Sequence, residues 1–359
     1  IRRQDNIKQK EAVYASISGD IKKAFDKIGD NIIEFRAKGK NQEEVKGEDL
    51  VANKYLSFNK ADRENSIVVA QTNKSTGIIN NLIREGLVEE KQISGAKLKS
   101  FKYTNNNLEE EKKRYATYYQ LGDMVLFNKK IDFLKINKSI YGEVIKIDKQ
   151  KNLLTIKHNK KTIEFNPKLV IGKREGTLET FKKEAIEIQK GDIIRFNRGN
   201  KDEKILNAQM ARVEGVSKHG VELGFINDNQ VTEYRKLSIR SNALKHIDYG
   251  YCSTVHKSQG RDARYVIGLA ESTQRKLSSQ KNFYVEISRA KEESYLFVDN
   301  KERLIEQLYQ NTGVRISALE HQKTEKQRAV IKDKNSKIDR KSTLLNSSHS
   351  SVSRMPSSA

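Results

Sequence analysis

The sequence predicts an α/β fold that is interrupted by a long antiparallel β region. Two stretches follow the order of strand, polar turn and helix that is typical of α/β proteins: residues 66–87 and residues 247–319. Between them, from about residue 94 to residue 240, short strands and turn signals replace that order. We therefore expect one α/β domain, formed by the two outer stretches, into which the middle region is inserted.

The first α/β stretch contains a strand with helices on both sides of it. Ser66–Ala70 is a continuous apolar run, which is typical of a parallel strand buried on both faces. Thr72 and Asn73 follow this run directly, and helical periodicity continues over residues 76–87. Earlier in the chain, Asp20 is placed to cap a helix that begins with the next residue.

The middle region contains a weak internal repeat. Residues 120–128 (QLGDMVLFN) and 189–197 (QKGDIIRFN) begin alike, and their Gly-Asp pairs are 69 residues apart (191 − 122). Turn residues separate the short apolar runs that follow each pair, as in small antiparallel barrels. We expect two SH3-like β units here, joined by a connecting segment at residues 178–188. Their strands are predicted at residues 141–147, 153–158, 161–165, 209–216, 221–226 and 231–237.

The α/β order returns at residue 247 and ends near residue 320. Residues 265–269 are apolar and predict a strand, and Asn300 is placed to cap a final helix. Residues 342–359 contain eight serines and can bury almost no apolar surface, so we expect a disordered tail of foreign origin. The predicted domains are the first part of the α/β domain at residues 1–95, the inserted β units at 96–240, the second part of the α/β domain at 241–320 and the tail at 321–359.

The composition favours a polyanionic partner in a reducing compartment. The chain has 69 Lys and Arg against 47 Asp and Glu, a net charge of +22, for which nucleic acid is the default partner. A Lys-rich composition inherited from an A/T-rich genome is the alternative explanation. Cys252 is the single cysteine, so no disulfide framework exists, and a reducing, cytoplasmic location is expected. No run of eighteen apolar residues occurs, so membrane insertion is not expected.

Two segments near the end of the α/β region have the strongest functional signal. Residues 249–260 (YGYCSTVHKSQG) predict a buried strand that opens into a polar loop, where ligands of α/β sheets bind. Residues 282–291 (NFYVEISRAK) predict a short helix with Arg289 near its end. In this order, the two segments resemble motifs V and VI of superfamily 1 helicases, in the RecD-like branch. The resemblance implies a RecA-like second motor domain, called 2A, with ATP between two such domains and DNA across both.

The resemblance assigns Arg289 the role of an arginine finger, both catalytic and ATP-binding. A guanidinium is permanently charged and planar, which suits it to stabilising phosphate charge during hydrolysis. The alternative is a surface ion pair between Arg289 and Glu286 or Glu292. Arg3, in the opening IRRQ, resembles a second γ-phosphate contact of the family, and its alternative is a basic terminal residue without a role.

The resemblance also assigns roles to the polar loop that follows the apolar run. Gln259 and Gly260 stand where the family couples DNA contact to nucleotide contact, so they are expected to bind ATP. Polar and basic side chains that donate to phosphates are expected to bind DNA: the candidates are Thr72, Asn73, Thr254, His256 and Lys257. His256 taken alone is more typical of a structural histidine. No cysteine or carboxylate accompanies it at metal-ligand spacing, so no metal site is expected.

Two further segments, together with residues 283–291, narrow the resemblance to one family. Residues 79–89, 118–127 and 283–291 look like the helicase part of MobF-type conjugative relaxases, which are TraI- or TrwC-like proteins that nick and unwind plasmid DNA. This implies a 5′-to-3′ motor whose SH3-like units handle DNA and whose partner is single-stranded DNA. It also implies an N-terminal RecA-like domain, a relaxase domain and the type IV secretion machinery as further partners.

The sequence also departs from the pattern of a complete motor. It contains no GxxxxGK[ST] phosphate loop, no Walker B segment and no relaxase tyrosine with a histidine triad. We therefore expect ATP and Mg²⁺ to be bound mainly by a missing first motor domain, so that the chain alone does not hydrolyse ATP. The chain begins at Ile1 rather than at a methionine, which we interpret as a fragment.

Three alternatives stay open at this point. A RecD-like repair helicase would have the same motifs, and a nicking domain encoded upstream would distinguish the two. A non-enzymatic DNA-binding module would keep the basic β units while the motor motifs are inert remnants. A basic scaffold for protein partners would bind DNA only at low salt and without a preference for single strands.

Overall fold

The computed structural model describes residues 4–35, 45–172, 175–227, 230–258 and 260–313. The described residues up to Gln310 form one compact unit, and residues 311–313 belong to a second. The predictions for Arg3, for Gln259 and for the serine-rich tail therefore lie outside the described residues.

The described residues form eight α-helices and sixteen β-strands. The helices are α1 (Ile7–Ile17), α2 (Ile21–Ile28), α3 (Gly47–Ser57), α4 (Lys60–Glu64), α5 (Asn73–Glu89), α6 (Pro167–Ile171), α7 (Gln280–Ile287) and α8 (Lys301–Gln310). The strands are β1 (Ile32–Glu34), β2 (Ser66–Ala70), β3 (Ser94–Asn105), β4 (Met124–Phe127), β5 (Ile140–Asp148), β6 (Leu153–His158), β7 (Lys161–Phe165), β8 (Leu178–Lys190), β9 (Ile193–Phe196), β10 (Met210–Ser217), β11 (Gly220–Asn227), β12 (Gln230–Ser238), β13 (Ile247–Tyr249), β14 (Cys252–Thr254), β15 (Ala263–Ala270) and β16 (Ala290–Val298). Within this part of the chain, no helix is long and apolar enough to span a membrane.

Five strands form a parallel sheet in the order β1-β16-β15-β2-β14. Alternate residues of β2 face opposite sides of this sheet. Val68 joins a core with residues of α3 and α5, whereas Ile67 and Val69 pack with Val266 and with Val285 of α7. Helices on both faces explain why β2 is an uninterrupted apolar run. The predicted α/β fold with a parallel sheet is therefore confirmed.

The middle region forms two antiparallel sheets, ordered β3-β8-β4-β5-β6-β7 and β12-β11-β10-β9-β13. All six strands predicted there are present. The segment at residues 178–188, predicted to be a connection, is instead part of β8, which pairs with both β3 and β4. Charged residues in the middle of β8 interrupt the apolar alternation that predicts a strand. Residues of the neighbouring strand compensate these charges. Glu184 accepts a hydrogen bond from Thr104 at 2.7 Å and lies 3.8 Å from the Lys102 ammonium.

The internal repeat seen in the sequence is also a repeat of backbone geometry. In the first copy, Gly122 N–H donates to Val144 and Val144 N–H donates to Asp123, both at 2.8 Å. The residues 69 positions later make the same two bonds at the same length. Gly122 and Gly191 both have positive φ, at 85° and 97°, so each turn requires the left-handed conformation that glycine adopts readily.

The run over residues 249–260 is divided between two sheets, so the prediction of one buried strand is wrong. β13 pairs with β9 of the antiparallel sheet, and β14 pairs with β2 of the parallel sheet. The chain crosses between them at Gly250, whose N–H donates to the Ile193 carbonyl at 2.8 Å. Both halves are buried in apolar surroundings, and for that reason the sequence could not show where one sheet ends and the other begins.

Candidate functional site

The loop after β14 is anchored by two buried residues. Thr254 ends β14, and a four-residue 3₁₀ helix follows at once. Val255 is buried in the core between the parallel sheet and α7, and Ser258 Oγ donates to the Val255 carbonyl oxygen at 2.7 Å. His256 and Lys257 lie between these anchors and are exposed. The turn therefore presents one imidazole and one ammonium to solvent on a fixed backbone.

The predicted DNA-binding residues lie at one edge of the parallel sheet. β14 and β2 are parallel neighbours, and Thr254 is paired with Ala70 where both strands end. Thr72 and Asn73 follow β2, so they share this edge with the turn after β14. The Thr72 hydroxyl also caps α5, because it accepts the Ser75 N–H at 3.0 Å. The Thr72 hydroxyl is therefore already used within the helix cap, whereas the Asn73 side chain is exposed to solvent.

Asn80 of α5 holds the edge strand of the sheet in place. Its Nδ2 donates to the Cys252 carbonyl oxygen at 3.2 Å, and its Oδ1 accepts the Cys252 N–H at 2.7 Å. These bonds satisfy backbone groups of β14 on the side where the sheet has no further strand. Burial raises the pKa of the Cys252 thiol well above its usual range, so this side chain stays protonated and serves packing.

Arg289 lies between α7 and β16 and is held there by its surroundings. Its side chain is 11% exposed, and one Nη atom lies 3.5 Å from a carboxylate oxygen of Asp262. Arg289 Nε is buried without a hydrogen-bond partner among the described residues. A buried guanidinium N–H with no acceptor is costly, and an anionic oxygen is the partner that suits it best. The site thus fits a phosphate group at this position.

The first described residues lie directly beside Arg289. Gln4 Nε2 donates to the Ser288 carbonyl oxygen at 3.0 Å, and the Asp5 N–H donates to the Lys291 carbonyl oxygen at 2.7 Å. Gln4 Oε1 is buried and, within the described ranges, has no hydrogen-bond partner. The segment that follows Arg3 is therefore attached to the chain on either side of Arg289, although Arg3 itself lies outside the described residues.

The predicted ATP-binding residues lie toward the other edge of the parallel sheet. β15 begins at Ala263 and β16 at Ala290, and these two residues are paired. Arg289 and Gly260 precede these strand starts, whereas the predicted DNA-binding residues follow strand ends. Gly260 has φ 91°, and a Cβ added to it would meet no atom within 4 Å. The glycine therefore serves the backbone turn rather than a close packing contact, and Gln259 lies outside the described residues.

Among the described residues, neither of the alternative partners considered for Arg289 forms an ion pair with it. Glu292 accepts a hydrogen bond from Arg264 at 2.6 Å. Glu286 is 3% exposed, and its Oε1 lies so close to Gly268 that a Cβ there would be 1.7 Å away. That oxygen has no hydrogen-bond partner in the described part of the chain. The alternative of a surface ion pair between Arg289 and Glu286 or Glu292 is thus wrong, and the carboxylate beside Arg289 is that of Asp262.

Glu286 makes the stability of the fold depend on pH. Burial raises the pKa of its carboxyl from 4.5 to about 8. The folded protein therefore keeps a proton there that the unfolded chain loses between these pH values, so stability falls as pH rises. We expect Glu286→Gln to match the wild type near pH 4.5 and to become more stable by about 1.4 kcal/mol per pH unit up to pH 8. Urea unfolding of both proteins at several pH values measures this, and parallel curves would contradict it.

Two arginines near the turn after β14 were not predicted from the sequence. Arg195 of β9 donates from Nη2 to the Lys257 carbonyl oxygen at 3.2 Å. Burial, and then the nearby charge of Arg261, lower the pKa of Arg195 to about 10. These residues come from separate parts of the chain, and no local pattern connects them.

In the described ranges, no three His, Cys, Asp or Glu side chains form a group that could hold a metal ion.

Comparisons with known proteins identify one segment. Residues 249–297 match the family model of the UvrD-like helicase C-terminal domain. No curated protein matches the chain. Pif1 helicase from Bacteroides, solved in complex with ADP-AlF3 and ssDNA, is 11% identical with a TM-score of 0.28, over 92% of this chain and 55% of that one. Pif1 helicase from Candida albicans is 12% identical with a TM-score of 0.31, over 84% and 55%. The chain spans about half the length of these structures. Similarities at such low identity and TM-score do not establish a function for this chain.

Proposed function

We propose that this chain is the second motor domain, 2A, of a superfamily 1 DNA helicase, with two SH3-like β units inserted into it. The match of residues 249–297 to a helicase C-terminal domain carries the proposal. The matched segment contains β14 and β15 and nearly all of β16, all in the parallel sheet. It also contains Arg289, a largely buried arginine whose Nε has no partner among the described residues.

In this proposal, Arg289 acts on ATP held between this domain and a first motor domain. Bound ATP supplies the phosphoanhydride bond whose hydrolysis drives movement along DNA. Arg289 binds the γ-phosphate and stabilises its charge during hydrolysis, while Asp262 orients the guanidinium. Arg3, Gln259 and Gly260 are proposed as further nucleotide contacts. The Mg²⁺ ion and most contacts to ATP are assigned to the first motor domain, because this sequence has no GxxxxGK[ST] segment.

The opposite edge of the sheet is proposed to bind single-stranded DNA. The exposed side chains of Asn73, His256 and Lys257 lie there, with Thr254 and Thr72 beside them. Hydroxyl, amide and basic groups on strand ends and turns donate to phosphates without reading sequence. The excess of positive charge over the chain supports the same assignment.

We also propose which kind of helicase this domain belongs to and where it acts. The resemblance of residues 79–89 and 118–127 favours a 5′-to-3′ motor of a MobF-type conjugative relaxase, in the bacterial cytoplasm and with the type IV secretion machinery as a partner. A RecD-like repair helicase is the closest alternative. The alternative to an enzyme is a module that binds DNA without catalysis. The net charge of +22 is the observation that favours this alternative.

ATP turnover with and without single-stranded DNA tests the proposed function. We expect the 359-residue chain alone to show no turnover. Adding a P-loop domain encoded by the same gene should restore turnover that single-stranded DNA stimulates. Turnover by the chain alone would contradict the assignment of the nucleotide site. DNA binding with no turnover after the domain is added would favour the binding module.

A further inference from the structure

The internal repeat draws attention to one arginine in the second β unit. Residues at matching positions of the two copies are alike in the apolar strand that follows the Gly-Asp pair, MVLF in one and IIRF in the other. Leu126 in the first copy is 2% exposed and packs with Met124 and Phe181. Arg195 stands 69 residues later, in the same place of the second copy, and is only 5% exposed. A buried arginine therefore replaces a core leucine.

The carboxylate of Asp248 favours the charge of Arg195, but it forms its ion pair with Lys102. Among the described residues, Arg195 forms no ion pair, and its Nη2 donates to a backbone oxygen, that of Lys257. Asp248 is opposite Arg195 in the strand pairing, but its carboxylate is 2.8 Å from the ammonium of Lys102. Burying a guanidinium without an acidic partner is unfavourable unless another anion binds it.

Two more cations lie beside Arg195. The backbone of Lys257 contacts it directly, and the charges of Arg195 and Arg261 lie close enough to disfavour each other. Burial, and then the Arg195 charge, lower the pKa of Lys257, and burial lowers that of Arg261. Neither Lys257 nor Arg261 forms an ion pair within the described part of the chain. Three basic residues therefore lie close together, Arg195 buried and Lys257 exposed, and the acidic group near them, Asp248, is already paired with Lys102.

The space next to this cluster is open. Arg261 lines a cavity of about 300 Å³ between the parallel sheet and the second β unit, together with Ser66 and Ser253. The Ser66 hydroxyl already donates to the Arg63 carbonyl oxygen, so the Ser253 hydroxyl and the Arg261 guanidinium are the donors that suit an oxyanion. Phosphate is the anion that fork-shaped guanidinium groups recognise best. Ser66 begins β2, so the cavity lies beside a strand start, and Lys257 belongs to the turn that contains proposed DNA-binding side chains.

We propose that Arg195, Lys257 and Arg261 form a phosphate-binding cluster. The cluster binds one phosphodiester of single-stranded DNA between the second β unit and the turn after β14. This inference rests on the proposed function for its choice of ligand. The chemistry of the site, a phosphate oxyanion, does not depend on that choice. A nucleotide phosphate is the other source of the same group, and the experiment below separates the two.

Arg195→Leu is the variant that tests the cluster, because the equivalent position of the first β unit is a buried leucine, Leu126. We expect it to weaken binding of a fluorescent oligothymidylate about tenfold in anisotropy titrations. We also expect it to lower the slope of log K against log salt by about 0.7, the loss of one phosphate contact. Arg195→Lys should keep most of that slope. Lys236→Gln is the matched control, since Lys236 is 81% exposed in the same antiparallel sheet.

The other possible outcomes separate a failure of the cluster from a failure of the proposed function. Equal affinities and salt slopes for Arg195→Leu and Lys236→Gln, with the wild type binding DNA, would overturn the cluster and leave the proposed function intact. A wild type that binds no single-stranded DNA would overturn the proposed function. If such a protein still bound inorganic triphosphate, and Arg195→Leu lost that binding, the cluster would be a nucleotide site instead. Binding of neither probe would overturn the cluster as well. Circular dichroism of each variant checks that the fold is kept.

Discussion

Under the proposed function, Arg289→Ala is expected to lower DNA-stimulated ATP turnover by about 10³-fold or more, measured with the proposed P-loop domain present. The expectation follows from a guanidinium that is 11% exposed, held 3.5 Å from Asp262, and left with one N–H unpaired among the described residues. Such a group is oriented before ATP arrives, so its removal affects the charge that develops during hydrolysis. Single-turnover kinetics of hydrolysis measure the effect directly.

Two further variants make this experiment specific. Arg289→Lys keeps the charge but not the planar fork, so it should recover only a small part of the turnover. Arg264→Ala is the control, because Arg264 lies close to Asp262 in the chain but is 49% exposed and already paired with Glu292 and Asp62. It should leave turnover near that of the wild type. If Arg289→Ala also did so, the helicase motifs would be inert remnants and the DNA-binding module would be the better explanation.

Asp192→Ala is expected to lower the free energy of unfolding by about 3–5 kcal/mol. Asp192 is fully buried, and its carboxylate accepts hydrogen bonds from Arg84 Nε at 2.8 Å and from the Gln189 N–H at 2.7 Å. Burial raises the pKa of this carboxyl, and the Arg84 guanidinium opposes that rise. Removing the carboxylate would leave Arg84, which is 11% exposed, without its principal partner. Urea unfolding of the wild type and the variant measures the loss.

The first copy of the repeat provides the matched comparison for Asp192. Asp123 occupies the equivalent turn, and its carboxylate accepts the Gln120 N–H at 2.8 Å. It forms no ion pair among the described residues, so Asp123→Ala should cost only about 1–2 kcal/mol. The difference between the two variants then measures the buried ion pair with Arg84 apart from the turn. Equal losses would mean that Arg84 contributes nothing beyond the shared turn geometry.

Local signals account for the elements that were predicted correctly. β6 and β7 lie at their predicted residues, 153–158 and 161–165, because an alternating pattern is interrupted by a polar turn between them. Asp20 caps α2 as expected, accepting the Lys23 N–H at 3.1 Å. β8 was missed because its charges are stabilised by residues of β3, far away in the sequence. The passage from β13 to β14 was missed because burial in either sheet produces the same apolar run.

The sequence by itself determined the α/β order, the repeated β units and the segments at residues 249–260 and 282–291, since each depends on residues close together in the chain. The tertiary structure decided which of these residues meet. Arg84 and Asp192 are 108 residues apart, and Arg195 and Lys257 are 62 apart, yet each pair is joined by a hydrogen bond. The partner of Arg289 likewise follows from the pairing of strand starts in the parallel sheet. Periodicity reports which face of an element is buried, but contacts between charged side chains depend on how distant elements pack against each other.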